Sequence, residues 1–444
     1  MTKVSDFIYP FSFGDKTQSD LLGGKGANLA EMVKIGLPVP PGFTITTQAC
    51  REFLRTGTLP QKLITELDAA IHELESSLGR TFGDPDNPLI ISVRSGAKFS
   101  MPGMMETILN VGMTPDVAHG LAQQTGNPEF AWDSYRRFID LYGRIVCDIS
   151  KDSFADIDHT YLQAAKIKTV DKLGFEQTKL LIAEYIQLIE KAEGKSFSLN
   201  PRDHLLRSVE AVFHSWNSER AQLYRQRERI PSDLGTAVNI QSMVFGNLSD
   251  DSGTGVAFTR NPSTGESGNY GDYLERAQGE DVVAGIRTPI SLHEFAQKYP
   301  SVYADLDSTM SLLEDHYRDL CDIEFTVEKG KLWILQTRVG KRTAEAAFRI
   351  ASQLVDEGKI NIDEALLRTS GEQLVHLMFP QFDLSTTTLE IARGIPASPG
   401  AAVGSVVFDS KRAHDLSLKG EKVILVRRET SPDDLVGMVA SEGI

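Results

Sequence analysis

The fold is decided by residues 321–338, which read Cys-Asp-Ile-Glu-Phe-Thr-Val-Glu-Lys-Gly-Lys-Leu-Trp-Ile-Leu-Gln-Thr-Arg. In the first half, apolar Ile323, Phe325 and Val327 alternate with polar residues, as in a strand that has one buried face. The second half contains a short apolar run, residues 332–335, with strand propensity. The stretch therefore predicts two strands joined by a tight turn.

The turn predicts the register of the two strands. Glu328-Lys329-Gly330 suits a three-residue hairpin loop with glycine in the left-handed position. That loop sets Asp322 opposite Gln336 and places Glu324 and Arg338 on the same face. A two-residue loop would put Glu324 and Gln336 on opposite faces, because side chains alternate along a strand.

The predicted face carries Asp322, Glu324, Gln336 and Arg338, which are two carboxylates, one amide and one guanidinium. Carboxylate and amide oxygens are hard ligands that suit Mg²⁺, and arginine suits a phosphate group. The competing interpretation is a solvated strand face with a surface ion pair, which is common in sheets. The hairpin alone leaves both interpretations open.

The size and charge of the chain limit its class. At 444 residues it is long enough for two to four domains. A composition of 41% hydrophobic and 24% charged residues is typical of a globular protein with an ample core. The formal charge of −15 argues against a nucleic-acid partner, which would need a basic face, but it leaves room for a local basic pocket that binds a polyphosphate.

The three cysteines, Cys50, Cys147 and Cys321, are far apart and form no C-x-x-C pair. This spacing argues against a disulfide framework or a zinc site and predicts a cytoplasmic location. The first ten residues lack the apolar run of a signal peptide, and no stretch approaches the roughly 20 apolar residues of a membrane helix. We therefore expect no membrane partner.

Two basic residues stand where loops meet regular structure. Lys25 lies in Gly23-Gly24-Lys25-Gly26, directly before a helical pattern over residues 29–35. Such a loop resembles a phosphate loop, although the spacing differs from a Walker A motif and no Ser or Thr follows Lys25. Residues 90–97 predict a buried-type strand that ends in a polar turn, with Arg94 where the strand gives way to a loop. The competing interpretations are a glycine-capped turn with an exposed lysine and a surface ion pair.

The other segments predict the framework around these residues. Residues 115–193 have a helical pattern, and residues 200–230 predict one long helix. Glu280 and Asp281 precede an apolar run and are candidates for either ligand-facing carboxylates or a turn. A mostly helical arm follows Arg338, and a β-rich module begins near residue 394.

Taken in order, several blocks resemble pyruvate phosphate dikinases in their N-terminal part. They are residues 22–32, 36–47, 92–112, 252–266, 277–289, 322–343 and 394–407. The resemblance implies an α+β fold, with a two-lobed ATP-grasp nucleotide-binding region, a helical insert, a helical linker and the start of a swivelling phosphohistidine β/β/α domain. The implied boundaries are 1–112 for the first lobe, 113–199 for the insert, 200–340 for the second lobe, 341–392 for the linker and 393–444 for the partial swivelling domain.

The resemblance also implies roles for the site residues. Lys25 and Arg94 would contact the polyphosphate of ATP, and Arg94 and Arg338 would take part in catalysis. Asp322, Glu324, Gln336 and Arg338 would line the nucleotide site, with Glu324 and Gln336 as Mg²⁺ ligands. Glu280 and Asp281 would lie at the same site. Phosphoryl transfer depends mostly on positioning and charge neutralisation, which such a cleft supplies.

In this family ATP and inorganic phosphate react through a histidine, and a remote barrel domain exchanges the phosphoryl group with pyruvate to give phosphoenolpyruvate. The phosphohistidine motif is expected directly after residues 430–440, but the sequence ends at Ile444 without it. We therefore expect the phosphohistidine and pyruvate-binding domains in a longer chain or a separate polypeptide. The pair Lys98-Phe99 also departs from the family's usual residues.

Three functional hypotheses remain at this point. The first is the ATP-binding phosphotransferase portion of a pyruvate phosphate dikinase, which would be an enzyme incomplete on its own. The second is a non-catalytic ATP-sensing or partner-binding module. The third is a related dikinase such as phosphoenolpyruvate synthase, which the block Gly253–Pro262 disfavours. A homodimer is compatible with all three.

Overall fold

The computed structural model describes residues 5–101, 103–284, 288–378, 402–427, 430 and 434–444. The chain forms two compact units, each assembled from three separated segments. Unit 1 consists of Met1–Thr254, Leu274–Thr288 and Phe325–Thr337, and unit 2 consists of Gly255–Tyr273, Pro289–Glu324 and Arg338–Ile444.

The central sheet of unit 1 is antiparallel throughout. Its strands are β1 (Ile8–Pro10), β2 (Gly42–Ile45), β5 (Ile91–Ala97), β6 (Thr107–Val111) and β7 (Thr236–Ser242). A separate two-stranded parallel sheet contains β3 (Thr81–Phe82) and β4 (Pro88–Leu89). The spatial order in the central sheet is β1-β2-β7-β5-β6, so β5 lies between β7 and β6. The predicted buried-type strand is therefore confirmed, but Arg94 lies within it and not where it gives way to a loop, because the pairing with β7 continues to Ala97.

The register gives the central sheet one apolar and one polar face. Phe43 pairs with Ile240, and Ile240 pairs with Val93, so these side chains form an apolar row within the main hydrophobic core. On the opposite face, Thr44 pairs with Asn239, and Asn239 pairs with Arg94. Directly paired residues point to the same side of a sheet, so the second row is polar and contains Arg94.

The helices of unit 1 supply most of its core. They are α1 (Ser19–Lys34), α2 (Thr47–Thr56), α3 (Gln61–Leu78), α4 (Pro115–Thr125), α5 (Pro128–Ile145), α6 (Lys151–Ala165), α7 (Phe175–Glu193), α8 (Pro201–Ser215), α9 (Glu219–Arg227) and α10 (Gly279–Ala284). The helical pattern predicted for residues 115–193 is confirmed as four helices. The side chains of Thr114, Asn127 and Ser150 cap the first three of these by accepting a backbone N–H.

The single helix predicted over residues 200–230 is wrong. The structure has α8 and α9, which are separated at residues 216–218. Ser218 has extended backbone angles, and its hydroxyl oxygen accepts the N–H of Ala221, so it begins a new helix. Arg225 lies over the ring of Trp216, with 4.1 Å between the guanidinium carbon and the ring centroid.

A buried histidine lies among aromatic rings in this core. His204 in α8 is packed against Phe138, Tyr142 and Phe197, and its Nε2–H donates to the carbonyl of Ser198 at 2.6 Å. Its Nδ1 has no partner within the described residues. Burial lowers the pKa of His204 to about 4, because the charged imidazolium would lose its hydration.

This histidine predicts a loss of stability in mild acid. The unfolded chain takes up a proton near pH 6.5 while the folded chain does not, so stability falls as the pH drops below 6.5. Between pH 7 and pH 5 we expect His204 to cost about 2 kcal/mol of unfolding free energy. Urea unfolding at several pH values measures this, with His204→Gln as the comparison. Parallel pH profiles for the two proteins would contradict the assignment.

The second sheet has the order β10-β9-β8-β11-β12. Its strands are β8 (Gly253–Arg260), β9 (Ser267–Glu275), β10 (Ile290–Ser291), β11 (Cys321–Glu328) and β12 (Lys331–Val339). The last two strands are the hairpin predicted from the sequence, which is confirmed as two adjacent strands. The division between the two units passes through β8, β9, β11 and β12.

Unit 2 also contains several helices outside the last described segment. They are α11 (Leu292–Lys298), α12 (Pro300–Tyr317), α13 (Ala344–Asp356), α14 (Ile362–Arg368) and α15 (Gly371–Leu377). Arg260 at the end of β8 is only 3% exposed and donates to Glu314 of α12 and to Glu357 directly after α13. This buried ion cluster fixes both helices to the sheet within unit 2.

The last described segment is a small α/β element. It contains β13 (Ser405–Val407), α16 (Ser410–Ser417), β14 (Val423–Leu425) and α17 (Leu435–Ala440), with the two strands parallel. Both strands lie in the β-rich module that the sequence predicts from about residue 394 onward. The end of the predicted linker, residues 379–392, and the predicted start of the β-rich module at residues 394–400 lie outside the described residues.

The architecture as a whole is a mixture of helices and several sheets, which confirms the α+β class. None of the helices in the described ranges is both long and apolar enough to cross a lipid bilayer.

Candidate functional site

The glycine-rich segment interrupts the first helix of unit 1. Gly23 has φ 67° and ψ 168°, which breaks α1 after its first turn. A side chain there would overlap the carbonyl oxygen of Gly96 at the end of β5, so only glycine fits. The main part of α1 therefore begins at Gly24, and the N–H groups of Gly24, Lys25 and Gly26 lie in its first turn. Backbone N–H groups in the first turn of a helix point along its axis and, with the helix dipole, suit an anion.

The first turn of the helix lies directly on the polar face of the central sheet. A Cβ atom on Gly26 would lie 2.6 Å from Thr44 Oγ1, and one on Gly96 would lie 3.5 Å from Lys25 Cβ. Gly96 follows Arg94 by two residues in β5, so the two residues share a face. The structure thus brings Lys25 and the half-buried Arg94 to the same face of one sheet.

The glycine contacts give a testable prediction. Gly23→Ala should lower the affinity for an anionic ligand by more than tenfold, since the helix start must move away from β5. Gly36→Ala is the matched control: Gly36 also has positive φ, at 85°, but no atom lies within 4 Å of its added Cβ. The control should cost about 1 kcal/mol of stability and leave the affinity unchanged. Equal ligand affinities in both variants, measured by calorimetry, would contradict this packing.

Glu280 and Asp281 lie in the first turn of α10 in unit 1, where an arginine binds them. Arg137 of α5 donates to Glu280 Oε1 at 2.5 Å and to Asp281 Oδ1 at 2.8 Å, and it also donates to Asp133. Burial lowers the pKa of Arg137, but the three carboxylates outweigh this and raise it well above its ordinary value. The guanidinium therefore stays charged and orders the acidic pair.

A chain of hydrogen bonds extends from this pair into the sheet. Asp281 Oδ2 accepts the N–H of Gln278 at 2.8 Å, and the Gln278 amide contacts the side chains of Asn110 and Asn247. Sequence reasoning missed Arg137, because the aromatic pattern of its helix indicated only packing. Its partners lie 143 and 144 residues away along the chain, and nothing local marks them.

The predicted three-residue hairpin loop is wrong. Only Lys329 and Gly330 lie between β11 and β12, and both have positive φ, at 49° and 70°. Two such residues form a type I′ turn. Lysine rarely adopts this conformation, but the turn is held by the loop before β8: Lys329 N–H donates to Ser252 Oγ at 2.9 Å, and Gly330 N–H donates to the Asp251 carbonyl at 3.1 Å.

The register at the open end of the hairpin also differs from the prediction. Counting from the two-residue turn would pair Leu320 with Val339, but the N–H of Gly340 donates to the Leu320 carbonyl at 2.9 Å. Strand β12 therefore contains one extra residue, which is a β-bulge. Its buried side chains, Leu332, Ile334 and Thr337, change from even to odd positions, so the bulge lies between Ile334 and Thr337.

The bulge sets Asp322 opposite Arg338, where the prediction had set it opposite Gln336. Arg338 Nε donates to Asp322 Oδ2 at 2.6 Å. Gln336 and Arg338 flank the buried Thr337 and share one face of β12, while Asp322 and Glu324 flank the buried Ile323 and share one face of β11. The expected grouping of Asp322 with Arg338 is therefore present in unit 2, through a different turn and register.

The buried carboxylate of Asp322 retains an unused oxygen. Asp322 is 6% exposed, and its Oδ1 has no hydrogen-bond partner among the described residues. Burial raises the pKa of this carboxyl group, and the Arg338 guanidinium opposes the rise. A buried carboxylate oxygen without a partner is costly unless it binds a ligand or an ion.

No group of three or more His, Cys, Asp or Glu side chains in the described ranges is arranged to hold a metal ion. The predicted donor set is of another kind, because it combines carboxylates with the amide oxygen of Gln336. The unpartnered oxygen of Asp322 and the half-buried Glu324 beside it are compatible with a hard cation such as Mg²⁺.

Comparison with known proteins identifies the family. The model of the family described as "Pyruvate phosphate dikinase, AMP/ATP-binding domain" matches residues 19–69, 58–302 and 296–359. The chain belongs to this family. The resemblance drawn from the separate sequence blocks is thereby confirmed, and the matched ranges include the glycine-rich segment, Arg94 and the hairpin.

Individual relatives agree with the family match. The chain is 47% identical to pyruvate, phosphate dikinase of Clostridium symbiosum over 445 residues, which cover 99% of the chain and 51% of that protein. It is 48% identical to pyruvate, phosphate dikinase 2 of Oryza sativa subsp. japonica, covering 98% of the chain and 49% of that protein. The corresponding protein of Giardia intestinalis is 47% identical, covering 96% and 48%. The chain thus spans about half the length of these curated relatives.

Proposed function

We propose that this chain is the ATP-binding phosphotransferase portion of a pyruvate phosphate dikinase, which binds MgATP. It would transfer the terminal diphosphoryl group of ATP to a histidine supplied by other domains and release AMP. Inorganic phosphate would then take the outer phosphoryl group and leave as diphosphate, so that one phosphoryl group stays on the histidine. The observation that carries the proposal is the glycine-rich start of α1 on the polar face of β5, beside Arg94, in a chain whose family is described as an AMP/ATP-binding domain. The overall reaction would convert ATP, phosphate and pyruvate to AMP, diphosphate and phosphoenolpyruvate.

The polyphosphate would be bound by unit 1. The N–H groups of Gly24, Lys25 and Gly26 begin a helix, and a phosphate there would accept them while the helix dipole favours its charge. Lys25 and Arg94 would add two cationic side chains on the same face of the sheet. Arg94 would act in catalysis by stabilising negative charge that develops on the transferring group.

The acidic hairpin would supply the metal ligands. We propose that Glu324 and Gln336 hold Mg²⁺, that Asp322 contributes its unpartnered Oδ1 to the Mg-nucleotide, and that Arg338, oriented by Asp322, contacts phosphate during the reaction. When bound, Mg²⁺ would neutralise phosphate charge and align the oxygens for transfer.

Glu280 and Asp281 would contact the non-phosphate part of the nucleotide. Arg137 orders both carboxylates, and the side chain of Glu280 remains about one-third exposed. A carboxylate oriented in this way can accept hydrogen bonds from hydroxyl or amino groups.

The domain organisation is part of the same proposal. We propose an ATP-grasp region of two lobes, residues 1–112 and 200–340, with the insert at 113–199 formed by α4 to α7. A linker, residues 341–392, would lead to a swivelling domain that begins at 393 and includes β13, α16, β14 and α17. A cytoplasmic location fits the free thiols of Cys50, Cys147 and Cys321.

Release of AMP tests the function. The chain is mixed with MgATP, phosphate and a separately produced C-terminal half of a relative, which contains the phosphohistidine domain. The proposal predicts AMP and a phosphorylated histidine on the added half, and neither product with Arg94→Ala. If the chain binds MgATP tightly but never releases AMP, the alternative of an ATP-sensing module is correct. Formation of AMP together with inorganic phosphate, and without diphosphate, would favour a relative such as phosphoenolpyruvate synthase.

A further inference from the structure

We infer that Lys98 is an additional polyphosphate ligand, which Asp20 holds in an ion pair until the nucleotide binds. This inference rests on the proposed function, because it adds a residue to the same anion site in unit 1. The observations that carry it are the position of the Lys98 backbone against the helix start and the exposed ion pair of its side chain.

The backbone of Lys98 is in contact with the glycine-rich segment. A Cβ atom added to Gly24 would lie 3.0 Å from the carbonyl oxygen of Lys98 and 3.3 Å from that of Ala97. Lys98 directly follows β5, four residues after Arg94. The lysine side chain therefore originates within one side-chain length of the N–H groups that begin the main part of α1.

The Lys98 side chain is held by a carboxylate on helix α1. Its Nζ lies 2.6 Å from Asp20 Oδ1, in the first turn of α1 before the break at Gly23. The side chains of Lys98 and Asp20 are 33% and 76% exposed. The ammonium group also lies 5.7 Å from the ring centroid of Phe99. An exposed pair of this kind is weak and exchanges readily with solvent.

The charge balance favours transfer of the lysine to a nucleotide. ATP presents several negative charges at the helix start, whereas Asp20 presents one, and an ammonium group moves to the stronger anion at little cost when its first partner is exposed. Asp20 also repels a polyphosphate while it is unneutralised. Asp20 therefore acts as a competitor of ATP for Lys98, and its removal should favour ATP.

Calorimetric titration of two variants and their combination tests the inference. Lys98→Met should weaken binding of MgATP and MgADP by about tenfold and leave binding of AMP unchanged, since the lost contact lies beyond the first phosphate. Asp20→Asn should tighten MgATP binding about threefold. In the double variant the gain from Asp20→Asn should disappear, because no lysine remains to be released.

Controls distinguish a specific contact from general charge. Lys34→Met is the matched control, since Lys34 lies at the other end of α1 in an exposed ion pair with Asp15 at 3.4 Å, and it should bind MgATP like the unaltered chain. Thermal unfolding midpoints should agree for all variants. The inference is overturned if Lys98→Met binds MgATP normally, or if Asp20→Asn tightens binding equally with and without Lys98. Absence of MgATP binding by the unaltered chain would overturn the proposed function as well.

Discussion

Replacing Arg94 with alanine is expected to weaken MgATP binding by about 1,000-fold, which corresponds to about 4 kcal/mol. Arg94 lies on the polar face of the central sheet, where it pairs with Asn239 of β7 and Thr107 of β6. The N–H groups of the helix start remain in the variant, but a guanidinium that can bind two phosphate oxygens at once is lost. Titration calorimetry with MgATP measures the change.

The fold should survive this substitution, because Arg94 is half-buried and lies outside the apolar core. Arg55→Ala is a suitable control, since Arg55 is exposed on α2 and should bind MgATP unchanged. Lys25→Ala should also weaken MgATP binding. Unaltered nucleotide affinity in both Arg94→Ala and Lys25→Ala would remove the proposed polyphosphate site.

Replacing Glu324 with alanine is expected to abolish the part of ATP binding that depends on Mg²⁺, with a loss of at least about 100-fold at saturating metal. Without Mg²⁺ the variant and the unaltered chain should bind ATP with similar weak affinity, because the proposed contact of Glu324 with the nucleotide runs through the metal. Glu324→Gln keeps the shape but removes the charge, so it should retain part of the metal dependence. Titrations of ATP in the presence of Mg²⁺ and in excess chelator measure the metal-dependent and the metal-independent affinity.

A structural role for Glu324 would give a different pattern. The affinity would then fall equally with and without Mg²⁺, and the thermal unfolding midpoint would fall as well. Glu345→Ala provides the matched control, because Glu345 is exposed near the start of α13 and forms a surface pair with Arg349 at 3.5 Å. It should leave both titrations unchanged.

The strands of the hairpin could be predicted from the sequence, whereas their register could not. Alternation of Ile323, Phe325 and Val327 is a local signal and is confirmed by their burial. The turn depends on contacts with Asp251 and Ser252, nearly eighty residues earlier, which allow Lys329 a left-handed conformation. The bulge in β12 has no local signal of its own, and the predicted pairing was wrong for that reason.

The glycine-rich segment likewise has one feature that could be predicted from the sequence and one that could not. Its phosphate-loop character could be predicted from Gly23-Gly24-Lys25-Gly26 before a helix. The contact with the central sheet could not, since it depends on the absence of side chains at Gly23 and Gly96, where α1 meets β5, and at Gly26, where it meets Thr44 of β2. The break between α8 and α9 could have been predicted, because Ser218 before Glu219 is a recognisable helix start.

The division of the chain into two non-contiguous units could not be predicted from the sequence either. Strands β8, β9, β11 and β12 come from separated parts of the chain, and their order in the sheet is set by pairing and not by chain order. Arg137 illustrates the consequence for the site. Its partners Glu280 and Asp281 follow β9, far along the chain from α5, which carries it.

Hydrogen–deuterium exchange with and without MgATP tests the central claim most directly, because it reports which backbone amides the nucleotide protects. We expect new protection in three segments, residues 22–28, 94–98 and 321–324, with little change in α6 and α7. Arg94→Ala should reduce that protection at the same nucleotide concentration. Saturating MgATP that protects other segments and leaves the amides of Gly24, Lys25 and Gly26 exchanging as before would contradict the account.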